Sequence, residues 1–170
     1  MTNTDASGLA TTDPTAVLIA RLTERGLTLA VAESLTGGAL TAELTRPAGA
    51  SAVVLGGVVV YATELKHALV GVDAALLAEQ GPVHPDVARQ LASGVRSALA
   101  VGSRPADVGI ATTGVAGPDG QGGRVPGTVF LGISHGDVND AVELALTGTR
   151  TQIRARSVDA AVRLLIERLL

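Results

Sequence analysis

The chain carries a single lysine, Lys66, against twelve arginines, and a single tyrosine, Tyr61, close upstream in YATELK. With so strong a preference for arginine, a plain surface cation at 66 could equally be an arginine. Lysine differs where a cation must give up its proton. A guanidinium stays charged in proteins, whereas burial depresses an amine toward neutrality. A neutral lysine can take the proton of a serine hydroxyl, and a tyrosine hydroxyl can relay or donate one. Tyr61 ends a Val-rich run and Lys66 falls in the next helical turn, so both can face one strand end. Chance placement of one lysine near one tyrosine is the plain alternative.

A hydroxyl in need of such a base stands in AESLTGG, residues 32–38. There an apolar run leads into Ser34, Thr36 and the pair Gly37-Gly38, after which a helical stretch begins. Free N–H groups and the positive end of that helix then face whatever sits above the sheet edge. Hydroxyls in such a place can cap the helix, bind phosphate oxygens, or act as a nucleophile beside an oxyanion hole. The glycine pair lets a ligand approach the backbone closely; an ordinary cap with a glycine turn is the structural alternative. Arg150 adds a cation in the first turn of a C-terminal helix, with Arg154 one turn on. Both oppose the local helix dipole, so an anionic ligand would relieve the mismatch, and an arginine fork suits phosphate. A solvated surface position is the simpler reading of both.

Two other features carry less. The stretch TTGVAGPDGQGGRVPGT leads into a strand rather than a helix, so it is not a dinucleotide fingerprint. Without a lysine it is not a phosphate loop either, which leaves a mobile lid or a plain connector. His67, His84 and His135 have no metal-like spacing, and no protein-held metal or cofactor is expected.

These residues need a scaffold. Asp13-Pro14 gives an N-cap with proline in the first turn, followed by Val17, Leu18 and Leu22, and Gly26 stops that helix. Leu27–Ala32 is a short strand and Ala39–Thr45 a short helix stopped by Pro47. Ala52–Val60 is a strand interrupted by Gly56-Gly57, which points to a bulge or a close backbone approach. Helices follow over Thr63–Val70, from the Asp73 cap to Gln80, and from Pro85, where Val87, Leu91, Val95 and Leu99 recur along one face. Asp107–Thr112 is a buried strand. Thr128–Ser134 and Val138–Leu146 pair as a hairpin around His135-Gly136-Asp137. From Thr149 the set Ile153, Val158, Val162, Leu165 and Leu169 marks the last helix. Helices alternating with strands, then two adjacent strands, predict a single α/β domain: a three-layer α/β/α sandwich with a mixed, mostly parallel sheet. The domain is expected over 13–170, with residues 1–12 a disordered lead-in.

Composition narrows the partners. The 170 residues are 46% hydrophobic and 17% charged, with Phe130 and Tyr61 the only aromatics, so the core must be aliphatic. A formal charge of −3, without a basic block or rings to stack bases, argues against nucleic acid. The longest apolar stretch, Ala52 to Ala62, is too short to span a bilayer, so no membrane partner is expected. No cysteine is present, which excludes disulfides. The N-terminal stretch lacks the charged start and apolar run of a secretory signal, and a cytoplasmic setting is expected. The apolar, ring-poor composition fits a homodimer.

Taken in order, ESLTGG, SAVVLGGVVVYATELK, VGV with the following LLAEQGPV, TTGVAGPDG, PGTV and GTRTQIR resemble the CinA C-terminal domain family. Its stand-alone members include nicotinamide-nucleotide amidases of the PncC type. The resemblance covers about residues 13–168. Ser34, Thr36, Gly37, Gly38, Ser51, Tyr61, Lys66, Gly114, Gly117, Pro118 and Arg150 match its motifs. The departures are Leu35 for a cysteine, Leu55 for a phenylalanine, Thr63 for an asparagine, His84 for a serine, and Arg124-Val125 before PGTV. What the resemblance implies is a three-layer α/β/α domain and, for the amidases, hydrolysis of nicotinamide mononucleotide to nicotinate mononucleotide and ammonia.

On that basis Ser34 is expected to attack the amide carbon, with Lys66 as general base and Tyr61 relaying the proton or steadying the oxyanion. Backbone N–H groups near Gly37-Gly38, beside Thr36, are expected to hold the developing charge. Arg150, with Thr113, Gly114 or Ser51, is expected to take the ribose or the 5′-phosphate. Ser51 as nucleophile and direct attack by water stay open. So does a nucleotide-binding or regulatory module without turnover, because family members also occur fused to another domain in competence- or damage-associated proteins.

Overall fold

The computed structural model describes residues 13–170, so the expected disordered lead-in at 1–12 lies outside the described residues. Helix α1, Pro14–Glu24, starts where Asp13 accepts from the N–H groups of Thr15 and Ala16 at 3.0 and 3.3 Å. Strand β1, Leu29–Glu33, and helix α2, Ala39–Thr45, flank the ESLTGG turn. Strand β2, Val54–Val59, is shorter than expected, because Ala50–Ala52 closes into a 3-10 turn ahead of it. Three helices follow: α3, Thr63–Val70; α4, Ala74–Gln80; and α5, Pro85–Ala98. Strand β3, Val108–Gly114, the hairpin of β4, Thr128–His135, and β5, Val138–Ala145, and helix α6, Arg150–Leu169, complete the chain.

The sheet order is β2-β1-β3-β4-β5. β1 pairs parallel with both β2 and β3, while β3–β4 and β4–β5 are antiparallel, so only β4 runs against the other strands. Alternation along the strands feeds two cores. Leu29, Val31, Ile110 and Leu131 pack with α1, α2 and α6 on one face. Ala30, Ala32 and Ala111 meet α3, α4 and α5 on the other. Small residues on that second face let α5 press on the sheet. A Cβ at Gly109 or Gly132 would lie 1.9 Å from the carbonyl oxygen of Ala92 or Ala88, so only glycine fits. The interruption at Gly56-Gly57 serves both expected purposes. The β1–β2 register slips between Leu29 and Ala30, and a Cβ at Gly57 would meet Thr41 Oγ1 at 2.1 Å.

This topology brings the C-terminal ends of β1, β2 and β3 to one edge of the sheet. From that edge the chain leaves into ESLTGG, into Tyr61 and α3, and into the glycine loop. In open α/β sheets that edge is where ligands bind.

Candidate active site

A cavity of about 310 Å³ opens at this edge. Its wall includes Ser34 and Leu35 after β1, Tyr61, Thr63 and Lys66 from the β2–α3 passage, Thr113 and Gly114 ending β3, the loop Val115–Gln121, and Arg150. Thus Ser34, Tyr61, Lys66, Thr113, Gly114 and Arg150, each singled out in the sequence, share one pocket.

Lys66 is its chemical centre. The side chain is 1% exposed, although it lies on an eight-residue helix whose neighbouring positions are mostly open to solvent. Its Nζ donates to the carbonyl oxygen of Val60 at 2.7 Å and to Ser34 Oγ at 3.2 Å. Among the described residues no carboxylate pairs with it. Burial pulls its pKa from 10.5 down to about 8, against a small opposing pull from Glu64. Burial beside two neutral oxygens makes the neutral amine more accessible than for a free lysine, and it lies within proton-transfer reach of a serine hydroxyl.

Glu33, which the sequence reading passed over, organises the turn. Fully buried at the end of β1, its carboxylate accepts from the N–H groups of Gly38, Leu40 and Thr41 and from Thr41 Oγ1, at 2.6 to 3.0 Å. It thereby seats the start of α2 on the end of β1. The available signal was a lone acid closing a five-residue run that is otherwise apolar, since such an acid is buried only when well bonded.

That seating narrows one expectation. Gly38 N–H is committed to Glu33 and Gly37 N–H to the carbonyl of Ser34 at 3.1 Å, and neither glycine lines the cavity. They are therefore not the receivers of oxyanion charge. Thr36 is fully buried behind the turn, its hydroxyl 2.8 Å from Thr112 Oγ1, and it does not reach the cavity.

Ser51 is also displaced from its expected role. Val54 lies opposite Leu29 at the beginning of β1, whereas Ser34 follows its end. The four intervening steps of strand put roughly 13 Å between the level of Val54 and that of Ser34, and Ser51 does not line this cavity. Its motif match carried no information about which end of the sheet it occupies.

At the mouth, Arg150 donates to Tyr61 OH at 3.0 Å and to the carbonyl of Gly117 at 2.7 Å, tying the β2–α3 passage to the glycine loop. Tyr61 is 58% exposed and has no hydrogen bond to Ser34 or Lys66, so the proton relay assigned to it lacks a contact here. The glycine loop is a wall of the pocket rather than a plain connector. Thr113 is buried and gives its hydroxyl to Pro82 O at 2.6 Å, so it shapes the floor. Of the two departures close to the motifs, Thr63 lines the cavity, whereas the ring of His84 caps α5 by accepting from Asp86 N–H. Among the described residues no three His, Cys, Asp or Glu side chains converge as metal ligands would. No described helix is long and apolar enough to cross a membrane.

Comparison with known proteins identifies relatives of the fold. The model of the CinA C-terminal domain family matches residues 11–169. A CinA-like protein of Frankia casuarinae is 44% identical over 146 residues, covering 86% of this chain and 33% of its own length. The chain thus spans about a third of that relative. Among solved structures, the competence damage-inducible protein A of Klebsiella pneumoniae is 33% identical, with a TM-score of 0.84 over 92% of this chain and 96% of that one. A competence-damaged protein (CinA) superfamily protein of Escherichia coli is 30% identical, with a TM-score of 0.85 over 95% and 94%.

Proposed function

The chain belongs to the CinA C-terminal domain family, and from that premise we propose that it hydrolyses the carboxamide of nicotinamide mononucleotide to nicotinate mononucleotide and ammonia. The observation that carries this reading is the buried Lys66 amine, 3.2 Å from Ser34 Oγ and without a carboxylate partner among the described residues.

In the first step Ser34 Oγ bonds to the amide carbon while Lys66 takes the hydroxyl proton. The C–N bond then breaks, Lys66 returns that proton to the departing nitrogen, and ammonia leaves an acyl-serine. Water adds to the ester carbon in the second step, giving up a proton to Lys66. The C–O bond to serine breaks, Ser34 regains its proton, and the carboxylate product departs. Direct attack by a water held against Lys66 would give the same products without an ester. With a pKa near 8, about a tenth of Lys66 is neutral at pH 7, enough to serve as base.

Arg150 and Tyr61 at the mouth would receive the ribose 5′-phosphate. The guanidinium would exchange its bond to Gly117 O for charge-assisted bonds to phosphate. The reaction needs no metal, the setting is cytoplasmic, and the assembly is a homodimer. The edge position of β2 and the exposed Val59 on it support the last point.

The test is ammonia release from nicotinamide mononucleotide by the purified chain and by Ser34→Ala. Wild-type turnover that Ser34→Ala abolishes is expected, and full turnover in Ser34→Ala would remove the serine ester from the mechanism. A binding module without turnover is the second reading, favoured by the match to only a third of a longer relative. Saturable binding with no ammonia would establish it.

A further inference from the structure

The backbone of the turn that carries Ser34 is bonded asymmetrically. The carbonyls of Ser34, Leu35 and Thr36 are all engaged. Ser34 O accepts from Gly37 N–H, Leu35 O accepts from Arg154 Nε at 3.0 Å, and Thr36 O accepts from Arg154 Nη2 at 2.8 Å. The N–H groups of the turn are not. Ser34 N–H reaches Thr112 O across the sheet, and Gly37 and Gly38 N–H are taken as described. The N–H groups of Leu35 and Thr36 have no partner among the described residues.

Backbone donors left open in an ordered, mostly buried turn are uncommon. These two follow Ser34 directly, and Leu35 lines the cavity while Arg154 does not. The start of α2 contributes nothing to them, because Glu33 consumes its free donors.

The direction of each open donor is set by the carbonyl across its own peptide plane. In a trans peptide, C=O and N–H point oppositely. The Arg154 guanidinium, half-buried on α6, holds Thr36 O and so turns the Gly37 N–H of the same peptide the opposite way, onto Ser34 O. The Ser34 O bond to Gly37 fixes Leu35 N–H in the same way. The cation also polarises the peptide it touches, which strengthens that peptide's N–H as a donor. Little slack remains, since a Cβ at Gly37 would lie 3.2 Å from Arg154 Nη2.

We propose that Arg154 is a positioning residue: its bond to Thr36 O holds Gly37 N–H on Ser34 O, and through that bond the open Leu35 N–H is aimed at the oxyanion formed when Ser34 attacks. The proposal rests on Ser34 being the nucleophile and is independent of which amide is the natural substrate. A preorganised donor at a developing oxyanion is worth 10²–10³-fold in known cases.

The experiment uses a fluorophosphonate probe on the full chain. Ser34 Oγ bonds to phosphorus, the P–F bond breaks, fluoride leaves, and the hydroxyl proton passes to Lys66. The phosphoryl oxygen then stands in for the oxyanion, and the rate is read by mass spectrometry of the Ser34 peptide. Arg154→Ala should label at least 30-fold more slowly, and added ethylguanidinium should restore most of the rate. Arg154→Lys, which keeps the charge but lacks the planar fork, should stay at least 10-fold slow. Arg163→Gln, on the exposed side of the same helix, should label as wild type does. With nicotinamide mononucleotide, Arg154→Lys should lower kcat and leave KM within about twofold.

Wild-type labelling rates in Arg154→Ala and Arg154→Lys would overturn the proposal. Slow labelling that follows a fallen melting temperature and that ethylguanidinium does not rescue would overturn it as well. Strong wild-type labelling without ammonia release would sink the substrate assignment and leave Arg154 in its role. A wild-type Ser34 that takes no label would end both.

Discussion

Two ionisable side chains are fully buried at the same edge of the sheet, and the protein treats them oppositely. Glu33 is enclosed by four donors, three of them backbone N–H groups of α2 and its approach, so its charge is bonded from every side and fixes structure. Lys66 has two neutral acceptors and, among the described residues, no paired anion, and burial drives it toward the neutral amine. A buried charge whose bonds are complete is a rivet. One whose environment disfavours the charge is a proton acceptor. The difference lies in what surrounds each group, and burial alone would not separate them.

The largest expected effect comes from preserving charge at 66 while removing the neutral form. Lys66→Arg should lower ammonia release by 10³-fold or more with the melting temperature little changed, since arginine does not deprotonate. Retained turnover would make Lys66 a second rivet and collapse the contrast. The mirror experiment is Glu33→Gln, whose amide cannot accept from all four donors. A loss of roughly 2–4 kcal/mol in unfolding free energy is expected from denaturant titration, and a neutral result would leave the anchoring role without support.

A third prediction follows from the pKa of Lys66. The unfolded chain keeps its proton up to about 10.5, while the folded chain gives it up near 8. Between those values the unfolded state holds more protons, so the lysine's contribution to stability improves as pH rises through that window. Relative to Lys66→Met, wild type should therefore gain roughly 3 kcal/mol between pH 8 and 10.5. A constant difference across that range would mean the amine is not depressed. Smaller again, Arg150→Ala should raise KM for the mononucleotide about tenfold and KM for nicotinamide riboside much less. Equal effects on both substrates would remove the phosphate contact.

Much of this architecture could be read from residue order. The Thr63–Val70 helix ends where Gly71 adopts a left-handed φ of 76°, and Ala39–Thr45 likewise has the expected bounds. Lys66 stood out because composition made it singular, and its burial agrees. Ser51 went astray because a motif match does not reveal that its strand runs parallel to β1, which sends residues ahead of β2 to the far end of the sheet. The Gly37-Gly38 donors went astray for a different reason. A free helix start was assumed, whereas Glu33, adjacent to Ser34, had already filled it. Arg154 was legible only as a cation in an unfavourable part of α6. Its carbonyl partners lie more than a hundred residues away in sequence, and no local pattern encodes such a pairing.

The most direct test of the central claim uses the fact that this chain has one lysine. With lysine labelled by ¹³C at Cε, the folded protein should give one Lys66 side-chain resonance, free of overlap, that can be followed through a pH titration. A midpoint near 8 is the expected result, moving when Ser34 is changed to alanine. A midpoint near 10.5, unaffected by that change, would mean that Lys66 is an ordinary cation and that Ser34 has no base.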